Sequence, residues 1–232
     1  MGAEKEKRNA AFAAMEFVED GMTLGLGTGS TAKHFVELLA AEVADGLLIR
    51  GVPTSQQTQV LAESLGVPLV PVEQVNRIEL TVDGADEVDG NGNLIKGGGA
   101  ALLREKIIAD ASDHMVVIAD PSKQVERLGA FPLPVEVAPF GFTITAKLVY
   151  DALCASGIEK PQVKLREDDP ADPVVTDGGH FILDCHCGRI PDADALAARL
   201  SSIPGVMEHG LFLGMARTVI VGNEGGASVF EY

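Results

Sequence analysis

The sequence predicts an α/β fold with a smaller α+β domain set into it, and three observations carry that prediction. In the first part of the chain, helical patterns alternate with short apolar strands, the order that a parallel sheet covered by helices requires. After Pro132 and Pro134 the order changes to strand, helix, strand, strand, helix, strand. A last apolar strand, Thr218 to Val221, then returns the chain to the first sheet. At 232 residues the chain can bury a full core, as one large domain or two small ones.

Helical patterns cover 3–19, 31–44, 55–65 and 100–111, and strands fall at 23–26, 48–52, 69–70, 78–82 and 115–119. Ile78, Leu80 and Val82 alternate as a strand does, while 100–111 consists almost wholly of good helix formers. These elements make a Rossmann-like domain from 1–130 and 211–232. Helices at 143–156 and 192–202 sit within the changed order, which is that of a ferredoxin-like α+β unit, expected as an insertion over 131–210. The acidic, proline-containing stretch Glu167 to Pro173 reads as a loop between its strands. There is no repeat or low-complexity tract.

Three loops carry chemistry. Gly25-Leu26-Gly27-Thr28-Gly29-Ser30-Thr31 follows the first strand and precedes a helix, as a phosphate cradle does. It lacks the Gly-Lys-Ser/Thr of a nucleotide loop, and Ser30 takes the last glycine place of a dinucleotide pattern, so neither cofactor fits. Hydroxyls and free helix amides suit a small phosphate ester better; tight packing alone is the other reading of such a turn. Asp83-Gly84-Ala85-Asp86-Glu87 is expected just past a strand's carboxyl end, where open α/β sheets bind ligands. Asp and Gly are also plain turn formers, as in the Asp89-Gly90-Asn91-Gly92 turn downstream, so a structural reading stands beside the functional one.

The third loop, Lys96-Gly97-Gly98-Gly99, sets flexible backbone against the helix at 100–111. On that helix Ala101, Ile108 and Ala109 share the face of Glu105, and Leu102, Leu103 and Ile107 cover most of the rest, so it reads as buried nearly all round. Of the consecutive charges Arg104, Glu105 and Lys106, Glu105 is chosen to point inward. A desolvated carboxylate has its pKa raised, which suits a general base for carbon acids. An exposed Glu105 in an i, i+4 charge ladder is the competing reading.

Together with Ala119-Asp120-Pro121-Ser122-Lys123 and Phe131-Pro132-Leu133-Pro134-Val135-Glu136-Val137 in the same order, these segments closely resemble the A-type ribose-5-phosphate isomerases. The resemblance runs nearly without gaps to Val137, then more loosely through Val175 to Asp184 and Ile203-Pro204-Gly205-Val206. It implies interconversion of ribose 5-phosphate and ribulose 5-phosphate in the non-oxidative pentose phosphate pathway, through an enediolate and with no cofactor or metal. Glu105 matches the proton acceptor. Lys96 and the amides of Gly97, Gly98 and Gly99 are suited to the enediolate oxygen. Asp83 and Asp86 match the sugar-contacting carboxylates that hold hydroxyls and assist ring opening, with Gly84 and Ala85 between them in the binding loop. Lys123 matches a substrate-binding lysine, Thr28, Gly29, Ser30 and Thr31 the remaining binding loop, and Lys7 is a further candidate near the phosphate. A homodimer is also implied.

Two rivals come from other classes. A non-catalytic phosphosugar sensor keeps the phosphate loops without needing a base at Glu105, and usually carries a basic DNA-binding segment not seen here. A coenzyme A transferase uses a glutamate nucleophile on a related fold but leaves the Asp83–Asp86 loop without a task.

Thirty-four acidic against 18 basic residues give a net charge of −16, which argues against nucleic acid or an anionic membrane as partner. No apolar run reaches a membrane span, and the N-terminal segment reads as a charged helix, not a signal peptide. Three cysteines, Cys154, Cys185 and Cys187, fit a reducing compartment, so a cytoplasmic enzyme is expected. Cys185-His186-Cys187 invites a metal reading. The strand-like alternation from Phe181 argues against it, since it puts both thiols on the face of Phe181 and Leu183 and turns His186 away.

Overall fold

The computed structural model describes residues 2–169 and 172–232. The chain runs α1 (Gly2–Ala14), β1 (Thr23–Leu26), α2 (Ser30–Ala44), β2 (Arg50–Pro53), α3 (Gln56–Ser64), β3 (Ile78–Gly84), β4 (Glu87–Val88), β5 (Leu94–Ile95), α4 (Leu102–Asp110) and β6 (Ser112–Ala119). It continues through β7 (Leu133–Val137), α5 (Phe142–Ala155), β8 (Gln162–Leu165), β9 (Glu167–Asp169), β10 (Asp172–Pro173) and β11 (Phe181–His186). It ends with α6 (Ala193–Ser201), β12 (Val206–His209), β13 (Leu211–Phe212), β14 (Thr218–Asn223) and β15 (Gly226–Glu231). Contacts divide it into two compact units, one of residues 1–85, 104–124 and 214–232, the other of 86–103 and 125–213.

The first unit is a six-stranded sheet in the order β15-β14-β6-β3-β1-β2. Its pairs are parallel except β14 with β15. Helices on a parallel sheet bury strands on both faces, and accordingly the run Met115–Ala119 of β6 is buried without alternation. Leu24, Leu26, Leu80, Val82, Val116 and Ile118 form the core with Phe35 and Leu39 of α2 and Ala10, Ala11 and Ala14 of α1. Small residues draw α1 close to the sheet: a Cβ at Gly222 of β14 would strike the backbone of Glu6. Thr218–Val221 lies in this sheet, as the sequence predicts.

In the second unit the four-stranded sheet runs β12-β7-β11-β8, every pair antiparallel. Counted within βαββαβ, that is fourth, first, third, second, the ferredoxin-like arrangement. Val149 and Leu153 of α5 and Leu196 and Leu200 of α6 close over Leu133, Val135, Val137, Leu183 and Cys185. A three-stranded sheet, β13-β5-β4, completes the unit.

The structure departs from the sequence reading in specific ways. The predicted strand at 69–70 contributes only a bridge from Leu69 to Gly51. The first helix ends at Ala14 and tightens into a 3₁₀ turn over Met15–Phe17. The stretch predicted as a loop from Glu167 holds the short antiparallel pair β9–β10; its residues 170 and 171 lie outside the described ones. The fourth helix begins at Leu102, because Ala100 sits in the left-handed region at φ 59° and cannot open a right-handed helix. Nor is that helix buried all round, since Ile107 is 52% exposed.

Candidate active site

In the first unit the first loop, the end of β3 and the turn that carries Lys123 lie at the carboxyl edge of the sheet. β1 lies between β2 and β3, so the chain leaves β1 toward one side and returns on the other. Such a reversal leaves a crevice beyond the strand ends. There the amide of Thr28 donates to Asp83 Oδ1 at 3.0 Å, and the amide of Gly84 to the same oxygen at 2.7 Å. Asp83 is fully buried within the end of β3 rather than just past it. A Cβ at Gly27 would land on the Asp83 carboxylate, so only glycine lets the first loop approach this closely.

That loop does not present every predicted hydroxyl to a ligand. Thr28 Oγ1 lies in a buried cluster, 2.8 Å from Thr54 Oγ1, 2.8 Å from Ser55 Oγ and 3.2 Å from Thr58 Oγ1. Gly29, at φ 111°, opens α2 with no side-chain cap. Ser30 is exposed, while Thr31 is buried in the first turn. A helix start of this kind, with amides not capped by a side chain, suits an anion. Thr54, Ser55 and Thr58 escaped the sequence reading, although Ser55 at the start of a helical pattern, with its hydroxyl on the Thr58 amide at 3.1 Å, is an N-cap signal.

Glu105 is 3% exposed on α4 and flanked by buried Ala101, Leu102, Ile108 and Ala109. The inward reading holds over the exposed charge ladder. Ile108, one turn on, anchors the helix to the sheet through Val52 and Ile78. Lys123 is half-buried at the end of a 3₁₀ turn after β6, a turn capped by Asp120 through the Ser122 amide at 2.9 Å. Lys7 Nζ lies 3.0 Å from Glu4, whose carboxyl it holds below the usual range together with His34.

The second unit carries Asp86, Lys96 and the glycine run. Half-buried Asp86 accepts the Gly98 amide on Oδ2 at 2.8 Å, and its own amide donates to Ile95 at 2.8 Å. Lys96 is 2% exposed, with Nζ 5.5 Å from the centre of the Phe212 ring and its amide on the Gly210 carbonyl at 2.9 Å. Gly97 takes φ 108°, whereas Gly98 and Gly99 are exposed. Sequence reasoning missed Arg166 altogether. Its guanidinium pairs with Asp184 and donates to the carbonyls of Gly97 at 2.8 Å and Gly98 at 3.2 Å. Among the described residues no group of three His, Cys, Asp or Glu is placed to hold a metal ion. Cys185 and Cys187 are buried in the core of this unit and His186 is exposed, as the strand pattern predicts.

Among proteins of known family, a profile for ribose 5-phosphate isomerase A (phosphoriboisomerase A) matches residues 50–226. A ribose-5-phosphate isomerase A from Maricaulis maris is 59% identical over all of both chains. A solved D-ribose-5-phosphate isomerase in complex with phospho-erythronic acid matches over all of both chains with 40% identity and a TM-score of 0.92. The ribose 5-phosphate isomerase A of Methanocaldococcus jannaschii matches 97% of this chain and 98% of its own, at 36% identity and a TM-score of 0.88.

Proposed function

The chain belongs to the ribose 5-phosphate isomerase A family and interconverts ribose 5-phosphate and ribulose 5-phosphate; we propose that Glu105 carries the proton between C1 and C2. The observation behind this role is a carboxylate 3% exposed on an apolar helix face. Removal from water disfavours the charged form and so makes a carboxylate a stronger base.

In the open-chain aldose the Glu105 carboxylate takes the proton from C2, and the electron pair of that bond moves through C1 onto O1. The enediolate oxygen is received by Lys96 and by amides of the Gly97–Gly99 run. Glu105 returns its proton to C1 while the O2 proton passes to O1, which leaves the ketose. Atoms and charge balance without a redox partner. Asp83 and Asp86 hold sugar hydroxyls and assist ring opening, with Gly84 and Ala85 shaping the loop between them. The amide-rich start of α2 at Gly29, Ser30 and Thr31, with Thr28 fixing the loop from behind, takes the phosphate, and Lys123 adds positive charge to substrate binding.

Glu105→Gln tests the assignment. Purified enzyme assayed with ribose 5-phosphate in EDTA should turn over, and the variant should lose about 10²- to 10⁴-fold in kcat with little change in KM. Comparable kcat in the variant would refute the role of Glu105, and no turnover by the parent enzyme would move the chain to the sensor class. The reading extends to a cytoplasmic homodimer, for which the family resemblance is the support; sedimentation at the mass of a single chain would contradict the dimer.

A further inference from the structure

The geometry points to Arg166 as a positioning residue for this isomerisation, acting through the peptide groups of the glycine run on Asp86 and on the amide that receives the enediolate oxygen. The inference rests on the roles proposed above for Asp86 and Gly97–Gly99.

Arg166 directly follows β8, and Asp184 lies on the neighbouring β11. Nε and Nη2 of Arg166 donate to Asp184 Oδ2 and Oδ1 at 2.9 and 2.5 Å, a two-pronged pair that fixes the plane of the guanidinium. That plane aims the remaining nitrogen, Nη1, at the carbonyls of Gly97 and Gly98, 2.8 and 3.2 Å away. The peptides of the glycine run are trans, as are all those among the described residues, so each carbonyl points opposite the amide that follows it.

Holding the Gly97 carbonyl therefore turns the Gly98 amide away from Arg166, and that amide is the one on Asp86 Oδ2 at 2.8 Å. Holding the Gly98 carbonyl turns the exposed Gly99 amide in the same manner, as a donor for an oxyanion. A run of glycines has almost no conformational preference of its own; the Ala100 amide holds the Gly97 carbonyl from within the turn at 3.1 Å, and Arg166 fixes the Gly97 and Gly98 carbonyls together from outside it. The guanidinium charge also polarises both peptides and strengthens what their amides donate. Asp184, Arg166, the 97–98 peptide and Asp86 thus form one continuous line of hydrogen bonds, with the candidate site at its far end.

The test uses the full-length enzyme with Arg166→Ala, Arg166→Lys, Asp184→Asn and the Ala/Asn double variant. In Arg166→Ala kcat should fall about 10- to 100-fold while KM for ribose 5-phosphate changes little. Inhibition by phospho-erythronic acid, which carries a carboxylate where the enediolate forms, should weaken by the same factor as kcat. Inhibition by inorganic phosphate should not move, a split that general loosening of the fold does not produce. Arg166→Lys should recover part of the loss, since an ammonium cannot span the carboxylate and both carbonyls. The double variant should be no slower than Arg166→Ala. Wild-type kcat in folded Arg166→Ala, or equal weakening of both inhibitors, overturns the proposal. Should Arg166→Ala not fold, wild-type kcat in both Arg166→Lys and Asp184→Asn overturns it equally. Failure of the underlying reading shows differently, as wild-type kcat in Asp86→Asn assayed beside these variants.

Discussion

One missing methyl group decides how the first loop meets Asp83. A Cβ at Gly27 would overlap the Asp83 carboxylate and its Cα, so Gly27→Ala must displace either the loop or the carboxylate. We expect kcat to fall at least about tenfold, because a shift of about an ångström in a positioned group costs that much or more. Steady-state kinetics on the variant decides it; unchanged kcat and KM would show that Asp83 tolerates displacement. The three thiols give a second residue-scale expectation. Burial and the nearby Glu87 carboxylate push the Cys187 thiol up to about 12, burial first, and burial pushes Cys185 well above its ordinary value. Cys154 is exposed. A group with a raised pKa stays a thiol, and the thiolate is the nucleophile, so at pH 8 a disulfide reagent should titrate one cysteine rapidly in the native protein and all three after denaturation. Rapid reaction of two or more native thiols would contradict the burial.

Helix ends show what local sequence can and cannot announce. Asp192 caps α6 by accepting the Ala195 amide at 2.9 Å. Asp192→Ala should cost about 1 kcal/mol and lower Tm by about 2–4 °C while leaving kcat alone, as thermal unfolding beside an activity assay would show. Signals of this kind, carried within a few residues, made β1, β3, the helices of both units and the inward Glu105 legible. The parts not legible depend on partners far away in the chain. Two-residue strands such as β5 and β13 have no period to detect, and only their pairing of Leu94 and Ile95 with Phe212 and Leu211 makes them strands. Arg166 reaches Gly97 and Gly98 across 69 and 68 positions, and in sequence it adjoins an acidic stretch that reads as a solvated loop. Thr54 and Thr58 look like ordinary polar residues until the fold sets them against Thr28. In the candidate site, then, the side chains proposed to meet substrate were readable, and the groups that aim them were not.

Over the whole molecule the net charge of −16 opposes the arrival of a dianionic sugar phosphate. Two fields of different range compete for that substrate. The summed acidic charge acts across many ångströms of solvent, whereas the groups proposed to bind the substrate, Lys123, Lys96 and the start of α2, act at contact distance. Raising NaCl from about 10 to about 150 mM shortens the screening length from about 30 to about 8 Å, which removes much of the first field and little of the second. KM for ribose 5-phosphate should therefore fall, by about twofold, over that interval while kcat stays constant, because screening acts on the approach of the substrate and kcat reports the steps after it is bound. A KM that rises with salt would mean instead that the basic groups attract substrate from a distance, and that the acidic surface lies too far from the path of approach to be felt.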